Sequence, residues 1–239
     1  MRRTQHLLAI FLAAVLLLPS CSEKLANRTD LSDADLYARG RRYADRKKFD
    51  DAIEHFQALL ERFPTSPLAP GAQLALADAR MENRDFVEAE IAFDDFLRLY
   101  PASDNVPYAL FRKGELVFRQ MGKPGRDQTK TVEALNTFSL LREKYPSSPQ
   151  ASAAANRLRE IRNRLAEHEV YVVSHYLSRG KYGSAETRAK RALADYPDAA
   201  SAPTLLSLLA EALQREGKAE DAAEARRSLQ EKFPGRKPR

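Results

Sequence analysis

Cysteine is almost missing from this chain. Cys21 is the only one in 239 residues, so no internal disulfide can staple the fold, and no Cys–His pair is available for metal or nucleophilic chemistry. Histidine is nearly as scarce. His6 lies in the apolar start, and His55, His168 and His175 have no metal-ligating partners at useful spacing. His168 and His175 are seven residues apart and share a helical face, but two imidazoles without a third ligand do not make a metal site. Glu167 and Glu169 flank His168 yet point to other faces of a helix. There is no glycine-rich phosphate loop, no nucleophile elbow and no useful length of strand alternation. Catalysis has no residues to carry it, and no cofactor or metal is expected. Long hydrophobic runs are missing too. Leu7 to Leu18 is a single twelve-residue stretch, short of the roughly 20 residues that a spanning helix needs. The formal charge of +6 comes from 39 basic and 33 acidic residues, a mild excess that gives no reason to expect nucleic acid.

What is present is a repeat. Five aromatic–proline pairs, Phe63-Pro64, Tyr100-Pro101, Tyr145-Pro146, Tyr196-Pro197 and Phe233-Pro234, each follow an alanine placed twelve residues before the proline: Ala52, Ala89, Ala134, Ala185 and Ala222. One supersecondary unit stacked five times has this signature. The first copy reads Leu36-x2-Arg39-Gly40-x2-Tyr43, then Ala52-x3-Phe56, then Pro64. That is the tetratricopeptide pattern of helix pairs, with Arg39 where leucine is usual. Gly40 and Ala52 lack bulk where the two helices come closest, Tyr43 and Phe56 fill the space beside them, and Pro64 ends the second helix. Ala89-x3-Phe93 and Ala134-x3-Phe138 repeat the packing pair, whereas Ala189 and Arg226 replace the aromatic in the last two copies. An arginine there suits a terminal helix facing water. The expected fold is therefore all-α, a superhelical solenoid of five helix-turn-helix repeats.

Two copies are longer than a simple unit. Gly122-Lys123-Pro124-Gly125-Arg126-Asp127 is rich in breakers and reads as a long loop in the third. From Gln150 to Ser178 there is neither glycine nor proline, and Ala151, Ala155, Leu158, Ile161, Leu165, Val172 and Tyr176 keep a helical period. One extended helix is expected here, linking repeats 1–3 to repeats 4–5. The organisation that follows is an export signal over 1–21, a flexible tether over 22–31, N-terminal repeats over 32–146, C-terminal repeats over 147–234 and a basic tail over 235–239. The tail cations Arg236, Lys237 and Arg239, with Lys232 before them, read as a solvated terminus.

Arg2 and Arg3, the apolar run and Leu18-Pro19-Ser20-Cys21 have the form of an export signal. The tetrapeptide resembles the bacterial lipobox, whose cysteine becomes the lipidated amino terminus; the alternative is an ordinary secretory signal with an incidental cysteine. An unpaired thiol in an oxidising compartment is a liability unless modified, which favours a modified Cys21, and the lipobox resemblance implies that it carries a diacylglycerol and an N-linked acyl chain such as palmitate. Several acyl chains together anchor permanently. Removing Arg2 and Arg3 leaves about +4 on the mature part, and no nucleic acid is expected in an exported compartment.

Longer strings add a family resemblance. Leu97-Arg98-Leu99-Tyr100-Pro101 followed by Asn105-Val106-x-Tyr108-Ala109 and Gly114, the loop string Arg126-Asp127-Gln128-Thr129, and Arg162-Asn163-x-Leu165-Ala166-x2-Glu169 with Tyr176-x2-Arg179-Gly180-x-Tyr182 and Arg188 are similar to the BamD family. These are tetratricopeptide lipoproteins of the outer-membrane β-barrel assembly machinery, formerly called ComL. The resemblance implies a lipid-anchored scaffold on the periplasmic face of the outer membrane of a Gram-negative bacterium. It implies as partners a BamA-type β-barrel insertase, the other lipoproteins of the complex, and unfolded outer-membrane proteins. Arg179 and Arg188 belong to the insertase-docking half. Ser22 after the cysteine disfavours retention in the inner membrane. The first helices of the repeats are expected to line a substrate groove with Tyr37, Arg41, Asp78, Tyr108, Phe111 and Glu115. Asp78 and Arg80 depart from the bulkier residues usual in the second repeat. A different periplasmic repeat lipoprotein, organising cell-wall synthesis or division, shares the anchor and the repeats but gives no reason for the inserted loop.

Overall fold

Aromatic–proline pairs terminate helices here because proline excludes the α conformation from the residue before it. Phe63, Tyr100, Tyr145, Tyr196 and Phe233 all stand at φ near −130° with ψ between 52° and 63°, and each closes the helix before it. The computed structural model describes residues 30–235. Ten helices make up these residues: α1 Asp33–Asp45, α2 Phe49–Arg62, α3 Ala69–Asn83, α4 Phe86–Leu99, α5 Val106–Arg119, α6 Thr129–Lys144, α7 Pro149–Ser178, α8 Tyr182–Asp195, α9 Ala202–Arg215 and α10 Ala219–Lys232. No strand occurs among the described residues. The export signal, Cys21 and most of the tether lie outside them, as do Arg236, Lys237 and Arg239.

The turn inside each unit is equally regular. In four of the five repeats the first helix ends in a Schellman motif, a paired set of reversed hydrogen bonds over the last turn. Lys48 N–H reaches Tyr43 O at 2.9 Å, Asp85 reaches Arg80 O at 2.9 Å, Lys181 reaches Tyr176 O at 2.9 Å and Lys218 reaches Leu213 O at 3.0 Å. The motif needs one left-handed residue. Gly180 and Gly217 supply it in the last two repeats, whereas Lys47 (φ 58°) and Arg84 (φ 70°) take it in the first two. The third repeat replaces this turn with the 120–128 loop.

The chain divides into two compact units, one up to Ala72 and one from Gln73. In the first, Ser32 caps α1 through a capping box with Asp35, and Ser66 Oγ donates to Asp33 Oδ2 at 2.5 Å. Leu36, Ala52, Phe56 and Leu59 are buried between α1 and α2. A Cβ on Gly40 would meet the Phe56 ring at 2.6 Å, which is why that position carries no side chain.

The second unit holds two cores joined by α7. The larger contains Phe93, Phe96, Leu116, Phe138 and Leu141 with Ala151, Ala154, Leu158, Ile161 and Leu165 of α7. The smaller contains Val173 of α7 with Ala185, Ala189, Leu205, Leu209, Leu213 and Ala222. Burying each large side chain stabilises by roughly 1.5–3 kcal/mol, so both cores draw on the same 30-residue helix. The small-and-large pairing of the repeat survives in altered form. Gly114 faces Phe138, with an added Cβ at 2.6 Å from the ring, and Ala77 and Phe93 share the larger core. In the fourth repeat the order of sizes is inverted: Val173 stands on the first helix and Ala189 on the second, both fully buried.

The apolar stripe of α7 differs from its expected course. Ala154 is buried and Ala155 exposed, and Val173 is buried while Val172 is only half-buried. Seven residues separate Leu165 from Val172 and keep them on one face, but the second core meets α7 one position, about 100°, further round the helix. The buried stripe changes side where the helix passes from one core to the other.

Candidate protein-docking surfaces

Tyr37 and Arg41 lie in the first unit. Tyr37 is half-buried, its ring centroid 6.0 Å from that of Phe56, and Arg41 is exposed. The other four groove candidates lie in the second unit, and most of their polar atoms are already engaged. Tyr108 Oη donates to Asp78 Oδ2 at 2.5 Å, and Arg112 Nε donates to Asp78 Oδ1 at 2.6 Å. Arg112 Nη2 also reaches Glu82 at 2.9 Å, with Arg119 adding a 3.3 Å contact. Burial pushes the Glu82 carboxyl up, but hydrogen bonds from Arg112 and Arg119 outweigh it and hold the pKa below the ordinary value. Burial likewise drives Arg112 down, and the Asp78 and Glu82 carboxylates reverse the sign.

Glu115 is clamped in the same way. Arg157 of α7 donates from Nε at 2.5 Å and from Nη2 at 3.0 Å to its two oxygens. The guanidinium also lies 4.6 Å above the Phe118 ring. Phe111 packs edge-on against Phe138 with centroids 5.8 Å apart. Asp78 and Tyr108 thus belong to a network that links α3 to α5, Glu115 is paired with α7, and Phe111 is half-buried in the packing. The Asp78 carboxylate accepts from both Tyr108 and Arg112, which a bulkier apolar residue could not do. Arg80, the other departure, donates to Glu88 O at 3.2 Å.

Arg112, Glu82 and Arg157 were not singled out from the sequence. A signal was available: Asp78 and Glu82, four apart on α3, match Tyr108 and Arg112, four apart on α5, as complementary pairs one helical turn long.

In the C-terminal repeats, Arg188 on α8 makes a two-point contact with Glu169 on α7, Nε to Oε2 and Nη2 to Oε1, the latter at 2.7 Å. The hydrogen bond to Glu169 raises the Arg188 pKa. Arg188 borders a concavity of about 420 Å³ that Tyr176, Gly183, Ser184, Thr187 and Arg191 also line. Arg179 caps α7 with its backbone N–H, and its side chain is exposed.

The middle of α7 also anchors the inserted loop. Arg164 donates to Gly122 O at 3.1 Å, His168 Nδ1 lies 2.6 Å from Pro124 O, and Tyr171 packs on Gly125. Gln128 closes the loop from within, reaching Lys123 O and Arg126 O at 2.9 Å each. His168 therefore has a structural partner, and no cluster of three metal-ligating side chains occurs among the described residues.

Among solved structures, the TPR2AB domain of yeast Sti1, in a complex with pHSP90, aligns at a TM-score of 0.45 and 16% identity, over 84% of this chain and 78% of that one. Sequence relatives are nearer. A Neisseria meningitidis serogroup A protein named outer membrane protein assembly factor BamD is 30% identical over 215 residues, 86% of this chain and 80% of its own length. Proteins of the same name from Vibrio cholerae and Xylella fastidiosa are 28% and 27% identical, over 93% and 96% of this chain and 96% and 82% of their own lengths. The family model described as YfiO, outer membrane lipoprotein, matches residues 29–229. With its paired helices, inserted loop and long shared helix, the chain belongs to the YfiO family of outer membrane lipoproteins.

Proposed function

We propose that the chain is the lipid-anchored scaffold subunit of the outer-membrane β-barrel assembly complex, held to the periplasmic face through Cys21. Its C-terminal repeats, 147–234, bind the BamA-type insertase. Its N-terminal repeats, 32–146, receive unfolded outer-membrane proteins, and other lipoproteins of the complex are further partners. Membership of a family of assembly factors makes the chain a binding component and no enzyme. The observation that carries this reading is that likeness to proteins named outer membrane protein assembly factor BamD covers 86% of the chain in one relative and 96% in another, beside a family model that matches residues 29–229.

Side-chain geometry supports the docking half. Arg188 spends Nε and Nη2 on Glu169, which leaves the remaining N–H donors of a pre-oriented guanidinium for a partner carboxylate or carbonyl. In the second unit the substrate meets charges that are already paired, so loosely specified contact with aromatic rings at Tyr108 and Phe111 serves better than charge recognition, and Tyr37 offers a further ring in the first unit. Affinity purification from detergent-solubilised envelope tests the whole reading. A barrel-forming insertase should co-purify; its absence, with peptidoglycan enzymes or division proteins in its place and septation defects on depletion, overturns it.

A further inference from the structure

Arg39 and Arg42 of α1 stand where the second and fifth repeats bury apolar side chains, and Arg46 follows one turn on. Arg39, Arg42 and Arg46 follow one another at three- and four-residue steps, so they form a stripe, and with Tyr43 they line a concavity of about 190 Å³. Gly40 sets the register between repeats, standing sixteen residues before Phe56 as Ala77 does before Phe93 and Ala210 before Arg226. In that register Arg39 and Arg42 correspond to Leu76 and Ala79 of the second repeat and to Leu209 and Ala212 of the fifth, all buried. Arg42 and Arg46 are exposed, so this face of α1 needs polarity, as a terminal repeat does.

Polarity alone does not account for the sign. Between Arg39 and Lys48 there are six cations (Arg39, Arg41, Arg42, Arg46, Lys47, Lys48) and one anion, Asp45. Arg112, Arg157 and Arg188 each hold a carboxylate, whereas Arg39, Arg42 and Arg46 form no ion pair among the described residues. Arg39 acts on Asp35 only as a charge at a distance, after the hydrogen bonds from Ser32. Like charges one turn apart repel. The negative end of the α1 dipole relieves Arg42 and Arg46, and Arg39 has only the distant charge of Asp35.

We propose that Arg39, Arg42 and Arg46 hold the phosphate of an anionic phospholipid headgroup in the membrane that anchors the chain. The inference rests on reading Cys21 as the lipidated residue. The ten residues from 22 to 31 reach at most about 35 Å when extended, which keeps α1 within reach of the headgroups. Guanidinium forks match phosphate oxygens in a way that ammonium groups do not, and each cation near an anionic surface adds attraction that fades within a Debye length.

The test uses the full lipidated chain in nanodiscs of phosphatidylcholine, with or without phosphatidylglycerol, doped with a photoactivatable phospholipid. Labelled peptides are mapped by mass spectrometry. Labelling of the 33–48 segment should rise on the order of tenfold with phosphatidylglycerol. It should vanish in Arg39→Glu/Arg42→Glu/Arg46→Glu and persist in part in the corresponding lysine variant, with unchanged helical circular dichroism in both. Equal labelling in the two lipids, or labelling indifferent to the glutamate substitutions, overturns the proposal. So does displacement by a glutamate decapeptide without any dependence on lipid, which would make this a protein-docking face. A chain that does not enter nanodiscs refutes the Cys21 anchor and this inference with it; loaded nanodiscs with α1 unlabelled refute this inference alone.

Discussion

Replacing Arg188 by alanine separates a structural role from a docking role. Its guanidinium is 38% exposed and Glu169 only 15%, so the substitution strands a mostly buried carboxylate. A charge-assisted hydrogen bond contributes about 1.5–3 kcal/mol when shielded. Exposure of the arginine discounts this, giving an expected loss of roughly 1–2 kcal/mol for Arg188→Ala. Adding Glu169→Gln removes the stranded charge while keeping its shape, so the double variant should recover to within about 1 kcal/mol of the parent chain. Binding behaves differently. If Arg188 reaches into a buried partner contact, both variants lose about 2–5 kcal/mol of insertase affinity, a drop of roughly thirtyfold or more. Urea unfolding followed by circular dichroism reports the first quantity, and titration with the insertase's periplasmic domains reports the second. Full affinity in the stable double variant would show that Arg188 serves only to fasten α8 to α7, and the docking assignment would then be wrong.

Three further outcomes are expected. Arg84→Gly should raise stability by about 0.5–1 kcal/mol, because arginine at φ 70° bears a left-handed cost that glycine avoids; an unchanged or lower urea midpoint refutes this. Gly114→Val and Phe138→Ala, which copy the Val173 and Ala189 arrangement, should each destabilise, by about 1–3 and 3–5 kcal/mol. Together they should cost at least 1 kcal/mol less than their sum, and simple additivity in hydrogen exchange of α5 and α6 counts against size-swapping. Hydrogen bonds from Lys190 and Lys218 hold the Glu186 carboxyl at about 2, below its ordinary 4.5. A depressed acid stabilises the fold above its unfolded pKa and loses that contribution as pH falls through the folded one. With Lys190 and Lys218 about half exposed, the contribution is roughly 1 kcal/mol. Glu186→Gln should therefore cost about that much near neutral pH and little by pH 2 in urea titrations, and a pH-independent difference contradicts the assignment.

The helical pairs were legible from residue order because each boundary has a local cause. A proline after an aromatic acts on its own neighbour, and the run from Gln150 to Ser178 contains nothing to interrupt a helix. The stripe on α7 was less legible, since its buried side depends on which neighbours approach, and Ala154 and Ala155 satisfy the same period. The groove candidates were harder still. Spacing places Tyr108, Asp78 and Glu115 on first helices, but whether a polar group faces solvent or a partner depends on a residue 30 or 42 positions away, as the bonds to Tyr108 and Arg157 show. A periodic pattern carries the helix and its side, and long-range pairing lies outside it.

Between Ala166 and Val173, α7 has no fully buried side chain, yet this stretch holds His168 on the inserted loop, Glu169 on Arg188 and Tyr171 against Gly125. It behaves as a keyed axle between two gear trains. One extra residue there would advance everything downstream by 1.5 Å and turn it by about 100°, tearing both sets of teeth at once. Insertions and deletions should thus be scarce in this stretch although none of its side chains is fully buried, and its length is what the sequence must preserve first.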